Sequence, residues 1–141
     1  MTVASLDVFQ TTLHKTNAWL KELMDELDWS DRHAAYLGLR ATLHALRDRL
    51  TVEEVAQLGA QLPMLIRGLY YEGWDPTGKP VPERRPEAFL VRVAQKLPAD
   101  APADPEPVVR AVFRVLARRV SEGEIEDVKH VLPAGIREFW L

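Results

Sequence analysis

Two arginines in a repeated motif have the clearest capacity for chemistry in this sequence. Leu62-Pro63 followed by Ile66-Arg67 recurs 70 positions on as Leu132-Pro133 followed by Ile136-Arg137. The same offset pairs Glu54 with Glu124. At roughly 100° per helical residue, Arg67 falls on the shoulder of the apolar face carried by Ile66, Leu69 and Tyr70. Two uses follow. Each arginine can lay its stem on the core and pair its head with a carboxylate, Glu54 for Arg67 and Glu124 for Arg137. Alternatively the two cations line a site for an anion. A shared folding need favours the first, and a buried pair of that kind implies a loss of roughly 3–5 kcal/mol for Arg67→Ala. Glu54 and Glu124 also fit as capping-box residues, closing Thr51-Val-Glu-Glu54 and Ser121-Glu-Gly-Glu124.

Other chemistry is thinly supplied. The histidines are His14, His33, His44 and His130. His33 and His44 lie about 16 Å apart along a helix, too far to share an ion. Asp127-Val-Lys-His130 has a usable metal-ligand spacing, but Gln57 and Ala60 stand at the positions 70 earlier, so the paired set that a di-iron bundle needs is missing. No metal site, no cofactor site and no catalytic residue is read from this pattern, and the histidines are expected at the surface. There is no cysteine to serve as nucleophile or zinc ligand. The serines are Ser5, Ser30 and Ser121, two of them placed as helix caps, and no nucleophile elbow, phosphate loop or dinucleotide fingerprint occurs. Arg110, Arg114 and Arg118 recur every four residues as a basic stripe, with Arg119 beside it. It is expected to be a solvated face partly neutralised by Glu122, Glu124 and Glu126. With a net charge of −3, nucleic acid is a poor fit as partner. Tyr70, Tyr71 and Trp74 crowd one helix end, and Phe139 and Trp140 another. Tyr71 and Trp74 run past the apolar stripe and are candidates for a partner surface.

The elements that must position these groups are helical. Leu6, Phe9, Leu13, Leu20, Leu23 and Leu27 recur at steps of three and four, with Thr16 filling one slot. After Ser30-Asp31, a cap, comes a second stripe of Tyr36, Leu39, Leu43, Leu46 and Leu50. Val55, Leu58 and Leu62 mark a third helix. Pro63 ends it and opens a short fourth one, which closes near Gly73. Pro86, Asp104-Pro105, Ser121 and Pro133 open the corresponding helices of a second set. Nine identities in the 32 gap-free pairs over positions 40–71, with core-type swaps such as Leu43/Phe113 and Val55/Ile125, point to an internal duplication.

The expected architecture is therefore all-α: one compact domain over 1–141, a bundle of about eight helices made from two tandem copies of a four-helix unit. The first copy covers about 5–73, the second about 83–141, and a proline-rich connector about 75–85. A further loop is expected over 97–107. Neither copy can bury a large core alone, so their apolar faces should close on each other about an approximate two-fold axis. An apolar content of 47% is ordinary for a globular protein. The N-terminus shows neither a basic region nor a long apolar stretch, which points to a cytoplasmic protein without a membrane partner.

Leu46-Arg47-Asp48-Arg49-Leu50, the run Ala60 to Trp74, and Val115 to Arg119 through Gly123-Glu-Ile125 to Arg137-Glu138 resemble the bacterial domain-of-unknown-function family numbered 2267. The resemblance implies a small bacterial helical protein and brings no activity or catalytic residues. The residues favour a non-enzymatic interaction module that binds itself or another protein. The alternative is a small anionic-ligand binder, or an enzyme, with a pocket between the two copies. Arg67, Arg137, Glu54, Glu124, Tyr71 and Trp74 are the candidate binding residues.

Overall fold

A computed structural model describes residues 6–100 and 103–141. Ser5, named above, and residues 101–102 of the expected 97–107 loop lie outside the described residues. Among those described the protein is all helical, with eight α-helices and no strand. In chain order they are α1 (Asp7–Leu27), α2 (Arg32–Arg47), α3 (Val52–Ala60), α4 (Met64–Tyr71), α5 (Pro86–Ala94), α6 (Pro105–Arg119), α7 (Glu122–Val131) and α8 (Ala134–Arg137). A 3-10 turn, Glu138–Trp140, follows α8. None is long and apolar enough to cross a membrane.

Helix starts follow local chemistry. The Asp31 carboxylate accepts from the amides of His33 and Ala34, and that of Asp104 from the amide of Glu106. Thr51 and Ser121 accept from the amides of Glu54 and Glu124 at 3.2 and 3.3 Å. Each such cap is worth about 1 kcal/mol. Pro86 and Pro105 occupy first-turn positions, where the missing N–H costs nothing. Gly73, two residues past α4, takes φ +70°, a left-handed conformation that turns the chain out of the helix.

The core is built around α2 and α6, which touch each other and the flanking α1 and α5. Leu39, Leu43, Leu46, Val109, Phe113 and Leu116 are fully buried there. Helices α3 and α7 meet each other at one side of this centre. The connector after Gly73 is held to the end of α2: the amide of Val81 donates to the Asp48 carbonyl at 2.8 Å, and the buried Arg49 guanidinium donates to the carbonyl of Glu83.

One stripe behaves differently from its periodicity. Trp19, Leu20 and Leu23 of α1 are buried as expected, whereas Leu6, Phe9 and Leu13 stay exposed. The first two turns of α1 reach α4 through Thr12, whose hydroxyl accepts from the Leu65 amide, and leave an open groove at Phe9 and Leu13.

Candidate functional site

The structure brings Glu54 and Glu124 together and places Arg67 and Arg137 elsewhere. Glu54 is in the first turn of α3 and Glu124 in the first turn of α7, so the α3–α7 contact sets one carboxyl against the other. Both side chains are buried, at 7% and 8% exposure. Asp127, one turn on in α7 and exposed, joins them, with one carboxylate oxygen from each of the three lying within 4.8 Å of the others. Burial is the first cause pushing Glu54 up to about 8. A hydrogen bond with Glu124 and the negative charges of Glu124 and Asp127 act in the same direction. Glu54 therefore carries a proton at neutral pH. One oxygen of Glu54 and one of Glu124 have neither a hydrogen-bond partner nor contact with solvent.

This corrects two expectations. Glu54 and Glu124 do not reach back to close capping boxes; only the hydroxyl half of each box forms, because the carboxyls turn inward to each other. Nor does either glutamate pair with an arginine. Arg67 and Arg137 are exposed and hold backbone carbonyls. The Arg67 Nε donates to the Gly59 carbonyl at 2.8 Å and its Nη2 to the Leu62 carbonyl at 2.8 Å. The Arg137 Nε donates to the Lys129 carbonyl at 2.9 Å and its Nη2 to the Leu132 carbonyl at 3.0 Å. The cause is in the motif. Pro63 and Pro133 have no N–H for the carbonyls of Gly59 and Lys129, four residues earlier, and an arginine four residues after each proline supplies a charged donor in its place. A cation at a helix C-terminus is also favoured by the helix dipole.

Tyr71 and Trp74 are half-buried against the core. Tyr71 lies over Gly59, where a Cβ would come within 2.5 Å of its hydroxyl, and it is packed between Tyr70 and Trp74. Tyr70 is fully buried, its hydroxyl donates to the Val55 carbonyl at 2.9 Å, and burial pushes its phenol up.

Three arginines of the basic face of α6 pair with α1, not with α7 as the sequence suggested, while Arg110 pairs with Glu106 of its own helix at 3.3 Å. Arg118 meets Glu22 and Glu26 at 3.2 and 2.9 Å, Arg114 meets Glu26 at 3.5 Å, and Arg119 meets Glu22 at 3.2 Å. His14, His33 and His130 are exposed. His44 is half-buried, its Nε2–H donates to the Leu69 carbonyl at 2.8 Å, and burial lowers its pKa.

Three features escaped the sequence reading. In the sequence, Asp127 stands out only by its spacing to His130. Arg47, 5% exposed, donates to the carbonyls of Tyr70 and Glu72 at 2.5 and 2.7 Å and so fastens the end of α4. The third is an apolar groove of about 690 Å³ between α1, α2 and α4, walled by Phe9, Leu13, Met64, Leu65 and Leu69. Its only available signal was the leucine stripe of α1, which reads the same whether it faces core or solvent. A smaller, polar hollow of about 480 Å³ lies beside it, lined by Lys15, Trp19, Gln61, Arg67 and Arg119. Arg137 does not contribute to it.

Fold and geometry together define an all-helical protein whose conspicuous features are a buried acid pair and an open apolar groove. The chain belongs to the family described as "Uncharacterized conserved protein (DUF2267)", whose model matches residues 16–139. None of the curated proteins is similar enough in sequence to match it.

Proposed function

We propose that this chain is a non-enzymatic helical module that associates with a second copy of itself through the groove between α1 and α4. The observation that carries this reading is the exposed apolar arm of α1: Leu6 at 63%, Phe9 at 50% and Leu13 at 48%, beside Met64 and Leu65 on the facing wall. Residues at i, i+3 and i+7 share a helix face, and such a face is what an apolar groove accepts. Arm and groove lie on one surface, so a two-fold axis lets each copy seat its arm in the other's groove. Covering these five side chains removes on the order of 500 Å² per copy, bringing the pair to the ~1,000 Å² that a specific interface needs. Tyr71 and Trp74 support this surface from behind rather than forming it, and Glu72 marks its end. Sedimentation velocity across a broad concentration range tests the proposal. The expected result is a concentration-dependent dimer, lost in Phe9→Asp while the helical circular dichroism is kept. A monomer at every concentration excludes it.

We further infer that the chain is one domain of two copies of a four-helix unit, about 5–73 and 83–141, joined over 75–85. Support comes from the matched hydrogen bonds of Arg67 and Arg137 and of Thr51 and Ser121, and from the pattern of packing. Helices α2 and α6 touch each other, α3 and α7 touch each other, and α1 lies on α6 as α5 lies on α2.

The polar hollow favours a second reading, a small anion held by Lys15, Arg67 and Arg119 between the halves. A thermal shift with inorganic phosphate or a small dicarboxylate, abolished by Lys15→Ala, is its expected sign. An unmoved midpoint across both anion classes removes it.

A further inference from the structure

We propose that Glu54, Glu124 and Asp127 form a binding site for one divalent cation of the calcium type, clamped between α3 and α7. Buried carboxylate oxygens are satisfied by donors, by cations or by ions, and leaving them bare is costly. Here one oxygen of Glu54 and one of Glu124 are sealed from solvent and unpartnered, in side chains more than nine-tenths buried. No lysine, arginine or histidine makes an ion pair with either of them, or with Asp127, among the described residues. The groups that could accept a positive charge converge, and the chain supplies none.

The donor set selects the ion. Three carboxylates with neither imidazole nor thiolate suit a hard cation rather than zinc or copper. Their oxygens lie within 4.8 Å of one another. That closeness lets all three reach one ion at about 2.3–2.6 Å, and calcium's flexible coordination tolerates ligands placed by helix packing better than the near-ideal octahedron that magnesium demands. The exposed side of Asp127 gives the entry path and room for water to complete the coordination. The site is one-sided: the residue 70 positions before Asp127 is Gln57, an amide that brings no charge. An ion here ties α3 to α7 at the point where their carboxyls meet.

The experiment is isothermal titration of the chelator-treated full chain with calcium chloride and, in parallel, magnesium chloride. It is run near pH 7, with a thermal shift in millimolar calcium alongside. The expected result is one calcium per chain, with magnesium at least about ten-fold weaker. Asp127→Asn, an exposed change that leaves the fold intact, should weaken calcium about ten-fold or more. Glu54→Gln, its helical dichroism checked, should abolish binding. No heat and no thermal shift with millimolar calcium overturns the proposal, as does calcium binding that survives both substitutions. Equal affinity for magnesium overturns the choice of ion.

Discussion

The end of the molecule formed by α1 and α4 and the end formed by α5 and α8 carry a matching proline and arginine and are finished differently. Each has a proline opening its short helix and an arginine four residues later holding the carbonyls behind it. At the α5–α8 end the first helix begins at Pro86, whose ring sits on Gly135; a Cβ there would come within 2.9 Å of the ring. The aromatics close that end, with Phe89 on Phe139 at 6.1 Å between centroids and Phe113 on Trp140 at 4.1 Å. At the other end α1 has no such start. It continues past Thr16 toward Asp7, Thr12 caps the Leu65 amide at 2.9 Å, and Leu65 stands where the other half has Gly135. The result is an open apolar groove. What differs is where the first helix begins, how large one residue on the short helix is, and the Arg47 bonds that fasten the end of α4, since Ala117 stands at the matching position; the proline–arginine bonding is common to both ends.

That contrast can be broken in several places. Phe113→Ala should remove the centre of the closed aromatic stack and cost about 3–5 kcal/mol in urea unfolding. Phe9→Ala, on the open arm, should stay within about 0.5 kcal/mol for the monomer. Next in size is the pH dependence of the acid pair. Because the folded Glu54 titrates above its ordinary value, its contribution is full below the ordinary carboxyl value of 4.5 and is lost as pH rises through about 8. Urea midpoints should fall across that window in the wild type, and Glu54→Gln should flatten the profile. An identical slope in both would separate the pair from stability.

Arg67→Ala and Arg137→Ala should each cost about 1–2 kcal/mol by chemical unfolding, the value of charge-assisted bonds to helix-end carbonyls at an exposed position. A loss of about 3–5 kcal/mol would instead restore the buried ion pair that the sequence suggested. Smallest are the glycines. Gly135→Ala must push against the Pro86 ring and should destabilise by about 1 kcal/mol, while Gly68→Ala, in α4 with open space around it, should stabilise by about 0.5–1 kcal/mol. The same sign in both would mean that the two ends are packed alike.

Local chemistry was legible in the sequence. The caps at Asp31, Thr51, Asp104 and Ser121, and the prolines that start helices, act within four residues of themselves, and all fall where the pattern placed them. The role of Arg67 and Arg137 was legible in principle, since the proline that strips a carbonyl of its donor and the arginine that replaces it lie in one motif. It was misread because a carboxylate looked the better partner. Glu54 meeting Glu124 could not be read in that way, since their contact is made by the packing of α3 on α7 and not by spacing. Whether Leu6, Phe9 and Leu13 face core or solvent depends on what stands opposite them, which a helical period does not encode.

Hydrogen exchange of the full chain at low and high protein concentration addresses the open end most directly. The amides of residues 7–15 and 64–69 should gain protection as concentration rises, while those of 86–94 at the closed end stay unchanged. Protection that is independent of concentration at the open end, or that rises equally at both ends, would contradict self-association through the α1–α4 groove.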